Sequence, residues 1–197
     1  MRASHKDQIC HPGAYYHIYN RGIHKQDIFL EEKDYVFYLQ RLRQVKDKQK
    51  ASVICYCLMP NHIHLLLRQD SKIPIYKVMS CLHTGYSMYF NKKYNKVGHL
   101  FQNRFKQKEV KNDEYLLQLA SYIHLNPLID ELAEKLEDYQ WSSYPDYIDL
   151  RPGTLCDKES VLLGKSSDWY KKITEEEIVE KLIRKEFQDK LNIRDCP

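Results

Sequence analysis

SVICYCLMPNHIHLLLR, residues 52–68, is the stretch that decides the fold. Ser52–Leu58 reads as one strand and His62–Arg68 as the next, with Pro60-Asn61 stopping the first. So short a gap makes the pair a hairpin. Side chains alternate along a strand, so Ile63, Leu65 and Leu67 share one face while His62 and His64 share the other. The apolar face needs helices to cover it, and the flanking sequence supplies them. Upstream, AYYHIYNR (14–21) is an aromatic-rich strand ending at Gly22, and Glu32–Lys48 carries Tyr35, Tyr38, Leu39, Leu42 and Val45 at helical spacing. Downstream, Ile75, Val78, Met79, Leu82, Tyr86, Tyr89 and Phe90 mark a long helix that Asn95–Gly98 ends. Phe105–Val110 is a weaker strand. Asn112 or Asp113 then caps a helix expected to run to Asn126 and stop at Pro127.

The order is β-α-β-β-α-β followed by a helix. It predicts an α+β, ferredoxin-like (RRM-like) arrangement: a four-stranded antiparallel sheet with two helices on one face. The other face is left for a site, a partner or the last helix. Past Pro127 the chain changes character, so residues 1–130 are expected to form the main domain and residues 131–197 a helical or irregular extension. Within the extension, 175–192 reads as a charged helix, and Asp149–Asp157, with Pro152-Gly153, is the nearest thing to a linker.

Composition narrows the class. The chain has 197 residues, 43% hydrophobic and 29% charged, which fits one globular domain with an appendage and excludes wholesale disorder. No apolar run approaches the length of a membrane span, and the N-terminus lacks the apolar region of a secretory signal. Six cysteines are too sparse for a disulfide scaffold, so a reduced, cytoplasmic protein is the expectation. The net charge of +4 is unevenly spread. Residues 71–111 hold nine Lys or Arg against one acid, whereas residues 127–197 hold 11 basic and 17 acidic residues. A basic body fits a polyanion partner, and equally a solvated charged surface.

Chemistry enters with the two histidines. Their spacing brings two neutral nitrogen donors near enough to share one metal ion, although His-x-His alone also describes a polar sheet face. On the helix before Pro127, Leu116, Leu119, Ala120 and Ile123 form the core stripe, and Tyr122 and Asn126 are neighbours at i and i+4. If that helix crosses the open sheet face, Asn126 would be a third ligand and Tyr122 would stand beside the metal. Two imidazoles and an amide oxygen suit Mg²⁺ or Mn²⁺ better than a closed zinc site.

These motifs carry a resemblance. YYHIYNRG (15–22), CYCLMPNHIHLLLR (55–68), GHLFQNRFK (98–106) and YIHLNP (122–127) stand in the order found in the HUH single-strand DNA transposases, which are named for His–hydrophobic–His. The chain most resembles their REP-associated tyrosine transposase branch. The resemblance covers about 115 residues and thins after residue 145. It implies His62, His64 and Asn126 as metal ligands, Tyr122 as nucleophile, and Mg²⁺ or Mn²⁺ as cofactor. It also implies a single-stranded DNA substrate near a hairpin, cut and rejoined through a 5′-phosphotyrosine link. No small-molecule substrate and no membrane enter this reading, and a homodimer stays open.

Around these positions the candidate DNA contacts are Arg21, His17, Lys92, Lys93, Gln102, Arg104, Lys106 and Lys108, since cations following a helix can track a phosphate backbone. His17 reads equally as a polar sheet residue. Phe101 and Phe105 are expected in the core, and His124 faces away from Tyr122, toward packing. Cys55 and Cys57 share a strand face without a four-ligand set nearby, so they are expected to be small buried hydrophobes. The rival readings are a domesticated binder that grips structured single-stranded DNA without cutting, and an RNA-binding domain, which uses sheet aromatics for stacking and is opposed by the two histidines and an HIHLLLR strand with no matching aromatic signature. A rolling-circle initiator shares the His pair but belongs to larger chains.

Overall fold

The computed structural model describes residues 11–176. Four strands, β1 (Tyr15–Arg21), β2 (Ala51–Met59), β3 (His62–Gln69) and β4 (Lys106–Val110), form one sheet in the order β2-β3-β1-β4, with every neighbouring pair antiparallel. Helices α1 (Glu32–Gln49) and α2 (Ile75–Lys93) cover one face, as the sequence pattern predicts for the ferredoxin-like arrangement. Tyr16, Ile18, Ile63, Leu65 and Leu67 project into that layer and meet Tyr38, Leu42, Leu82 and Tyr86. β2 is buried on both faces, and a bulge between Val53 and Cys55 turns Ile54 and Cys55 to the same side. Among the described residues no helix is long and apolar enough to cross a membrane.

The third helix, α3 (Asp113–Ile129), lies on the opposite face over β2. The Asn112 side chain accepts the Tyr115 N–H at 2.8 Å and caps its start. Its end differs from the expectation, because Pro127 lies inside the helix and the last turn runs on to Ile129. Proline removes the N–H that would bond the Ile123 carbonyl. The Asn126 amide substitutes for it, donating to the Ile123 carbonyl at 3.2 Å and to the Tyr122 carbonyl at 2.8 Å. A proline near a helix end therefore costs little here.

Residues 131–176 share the core beneath α3. Short helices α4 (Tyr144–Tyr147) and α5 (Glu159–Leu162), with Leu136, Tyr139 and Tyr170, pack on Ile54, Cys55, Cys57 and α3. The boundary expected at residue 130 thus marks a change of charge, not of core. The segment 149–157 is likewise tied down, since the Asp157 N–H donates to the Val53 carbonyl and Arg151 reaches the Gln140 and Ser142 carbonyls. Residues 167–176 are helical, and the rest of the helix expected at 175–192 lies outside the described residues. Cys55 and Cys57 are buried in this layer, and Phe101 and Phe105 in the other.

A buried histidine sits within each layer. His83 contacts the Tyr38 hydroxyl at 3.3 Å and stacks on Phe101, while His124 bonds Tyr170 Oη and Ser143 Oγ, each at 2.8 Å. Burial pushes both imidazoles down from 6.5 to about 3. The unfolded chain therefore takes up these protons first, so stability is full above pH 6.5 and drains away toward pH 3. Each group costs about 1.4 kcal/mol per pH unit in that window. Urea unfolding between pH 7.5 and 5 should show this fall, and His83→Gln should make it shallower by one group's share, His124 and the other buried histidines keeping the rest. An unaltered slope in the variant would reject the assignment.

Candidate active site

Register builds the site. β1 and β3 pair so that Tyr19 lies opposite His64 and Arg21 opposite His62. Residues 17, 19 and 21 therefore share a face with 62 and 64. α3 covers this face mainly over β2, with contacts to Leu66 of β3 and Val110 of β4, and leaves the His17–Tyr19–Arg21 stretch beside the histidines open to the clefts. Tyr122 stands at the border, 37% exposed, with its ring edge-on to His64 (6.0 Å between centroids) and to His17 (6.4 Å). The two motif imidazoles are 5.1 Å apart and nearly perpendicular.

Each motif histidine has its orientation fixed by a neighbour. Asn61 Oδ1 can only accept, so the 2.6 Å contact places a proton on His62 Nδ1 and leaves Nε2 with its lone pair. His64 Nδ1 lies 3.1 Å from His17 Nε2 in a buried contact, where one nitrogen donates and the other accepts. Burial holds all three imidazoles below the ordinary range. His17 falls to about 4, with Lys108 adding to the effect, and His64 is held well below its ordinary value, with His17 and His62 adding to it. His62 is lowered by burial and by Arg21, with Asp130 opposing. Neutral imidazoles with aimed lone pairs are what a cation requires. Burial, then the Asp130 and Tyr19 charges, push the Tyr122 phenol above 10.

Two clefts meet here. One, of about 620 Å³, is lined by Arg21, Lys25, His62, His64, Gln102, Asn103, Arg104, Lys106 and Asp130. The other, of about 510 Å³, runs past His17, His64, Lys108, Gln118 and Tyr122. Tyr19 lines both, with Lys106 Nζ 5.6 Å over its ring. Arg21 Nε donates to Gln102 Oε1 at 2.5 Å, which ties the end of β1 to the segment before β4. Gly22 makes that corner possible, since a Cβ there would fall 2.1 Å from the Gln26 carbonyl oxygen.

The structure thus brings together Tyr122, His62, His64, His17, Arg21, Gln102, Arg104, Lys106 and Lys108. It does not bring Lys92 or Lys93 to this site. Both lie at the end of α2 in the layer across the sheet, and Lys93 is held by Asp34 (2.5 Å) and Glu31 (2.7 Å). Closeness in sequence to Arg104 is therefore not closeness in space, and neither lysine belongs to these clefts. Asn126 is buried on the turn after Tyr122, and its amide nitrogen is occupied by the backbone carbonyls described above. Sequence reasoning missed Tyr19, Lys25, Asn61 and Asp130. Tyr19 was legible from the phase of β1, and Asn61 from its place beside His62. Asp130 was hidden by the assumption that α3 stops at Pro127.

Among the described residues no group of three or more His, Cys, Asp or Glu forms a metal-binding cluster. The donors side by side here are two neutral imidazoles, with Asn126 on the turn of α3 after Tyr122; with no third His, Cys, Asp or Glu beside them, they do not make a closed zinc site and fit an open one.

Comparison with known proteins agrees with this architecture. A candidate REP-associated tyrosine transposase of Haemophilus influenzae is 26% identical over 113 residues, or 52% of this chain and 64% of the relative. The match therefore covers less than two thirds of that protein's length. A solved structure of a REP-associated tyrosine transposase bound to a REP hairpin has the same fold, with a TM-score of 0.62 at 15% identity, covering 79% of this chain and 94% of that one. The family model described as "Transposase IS200 like" matches residues 10–126, from before β1 to the Asn126 turn of α3, and on that match the chain belongs to the IS200-like transposase family.

Proposed function

We propose that this protein is a DNA transposase that cleaves and rejoins single-stranded DNA beside a hairpin, with Tyr122 as nucleophile. The observation that carries the reading is the convergence of Tyr122 with His62 and His64 at the junction of two basic clefts. The Tyr122 phenol oxygen attacks the scissile phosphorus and loses its proton. The P–O3′ bond breaks, the leaving oxygen takes a proton as a free 3′-OH, and the DNA 5′ end stays on the tyrosine. A second 3′-OH reverses the step without ATP, because the phosphodiester energy is kept in the link.

His62, His64 and the Asn126 amide oxygen are the residues that would hold Mg²⁺ or Mn²⁺. When bound, such a cation polarises the phosphate and offsets developing charge. The chain's own residues do the rest. His17 and Asn61 lock the imidazole rings. Arg21, Arg104 and Lys106 line the path of the strand, and Lys108 flanks Tyr122 in the second cleft. The hairpin-bound structural relative supports hairpin DNA as the substrate class.

The test is a pool of single-stranded hairpin oligonucleotides, end-labelled in parallel at 5′ and 3′ and incubated with Mn²⁺, Mg²⁺ or EDTA. An SDS-resistant adduct on the 3′ fragment, requiring metal and mapping to the Tyr122 peptide, is expected. Tight hairpin-selective binding with no adduct, in a pool containing the element's own ends, would replace this reading with a non-cutting binder. Binding should also depend on salt. Five cations line the two clefts, Arg21, Lys25, Arg104, Lys106 and Lys108. Full engagement gives a slope of log K on log salt near −3.5 for a single strand, and Arg104→Ala should reduce it by about 0.7. An unchanged slope would remove Arg104 from the strand's path.

A further inference from the structure

Asp130 is the one acid lining the larger cleft among the described residues, and it stands among Arg21, Lys25, Arg104 and Lys106. The surrounding cations favour it, but its own helix does not. It is the C-cap of α3, where a negative side chain faces the negative end of the helix dipole and no basic residue occupies the last turn. Its carboxylate lies 3.9 Å from His62 Nε2, beyond hydrogen-bond range, and is nearly half exposed to the cleft. A phosphate strand entering this cleft meets a fixed negative charge beside the two motif histidines. Helix geometry sets the position, since Tyr122, Asn126 and Asp130 follow at i, i+4 and i+8 along one side of α3.

We propose that Asp130 couples DNA binding to the divalent cation: it repels the strand while the His62–His64 pair is bare, and it helps hold the cation whose charge then cancels the repulsion. The inference rests on the DNA-cleaving reading above. Because the described residues form no closed three-ligand cluster, Asp130 acts on the cation through its charge or through a bound water, which Mg²⁺ and Mn²⁺ readily keep. Two electrostatic costs, against the helix end and against phosphate, are offset together when a dication arrives. The other acids near α3 do not share this place: Asp113 and Glu114 are at its opposite end, and Glu131 does not line the cleft.

The test uses the full chain in a Tyr122→Phe background, so that no adduct forms, with and without Asp130→Asn and Asp130→Glu. Affinity for a fluorescent hairpin oligonucleotide is read in EDTA and in Mg²⁺, and Mn²⁺ affinity is read by electron paramagnetic resonance without DNA. In EDTA, Asp130→Asn should bind DNA roughly three- to tenfold tighter than its parent. In Mg²⁺ the parent should gain and the variant gain much less, so the advantage shrinks or inverts. Mn²⁺ affinity should fall about three- to tenfold in Asp130→Asn and hold in Asp130→Glu. A variant that tightens DNA equally in both buffers, or one that leaves Mn²⁺ affinity unchanged, overturns the coupling. If no chain binds the oligonucleotide in either buffer, the DNA-cleaving reading fails, and the Mn²⁺ measurement still decides whether Asp130 serves a cation.

Discussion

Replacing Tyr122 by Phe is expected to lower strand cleavage by about 10³-fold or more and to abolish the covalent adduct, while hairpin affinity stays within about twofold. The substitution removes one oxygen. The ring remains edge-on to His17 and His64, so their orientation and the shape of the second cleft are kept. Removing a nucleophile that acts only in the chemical step should lower the rate and not the binding. The resting site also makes a sharp prediction about acid–base state. Burial, with Asp130 and Tyr19 nearby, raises the Tyr122 phenol above its ordinary 10. The protein alone therefore disfavours the phenolate, and cleavage in EDTA should be as low in wild type as in Tyr122→Phe with metal. Burst-phase measurement of adduct on a labelled hairpin checks both. Adduct persisting in the Phe variant would move the nucleophile elsewhere, with Tyr19, which lines both clefts, the first residue to examine.

How much of this was legible in the sequence depends on what kind of order each part has. The β2–β3 hairpin and the shared face of His62 and His64 follow from a two-residue period, which is local and rigid, and they stand as read. So do α1 and α2, whose apolar stripes repeat at helical spacing. The end of α3 did not yield to the same reasoning. The rule that proline stops a helix assumes that the orphaned carbonyl has no other donor, and the Asn126 side chain supplies one. That single substitution of donors carries the helix on to Ile129 and sets Asp130 at the cleft, so one missed hydrogen bond hid one site residue. What the extension packs against was not legible for a different reason. Tyr139, Tyr144, Tyr147 and Tyr170 have no periodicity, and only the exposed side of the β2 layer explains why they are buried. Aromatic side chains in irregular segments announce burial without saying against what.

Lys93 makes the opposite error instructive, and it carries a large expected effect. Asp34 is fully buried at the start of α1, where its carboxylate accepts from five donors: the Leu30 and Glu31 N–H groups, Lys93 Nζ, Tyr89 Oη and Tyr94 Oη, at 2.5 to 3.2 Å. Burial alone would raise this carboxyl, but Lys93 and the other donors hold it below the ordinary value. The network joins the N-terminus of α1 to the C-terminus of α2, and it also forms a capping box with Glu31. Asp34→Ala leaves two backbone N–H groups, two phenols and an ammonium without their common acceptor, and should cost about 3–5 kcal/mol. Lys93→Met should cost about 2–3 kcal/mol, because the buried carboxylate keeps its other donors but loses its counter-charge. Urea unfolding reads both. The decisive contrast is with Arg104→Ala, which should leave stability nearly unchanged and weaken DNA binding. Lys93→Met should do the reverse, with affinity per folded molecule unchanged. A loss of affinity without a loss of stability in Lys93→Met would return that lysine to the DNA, and would require the strand to reach around the sheet to the helical layer.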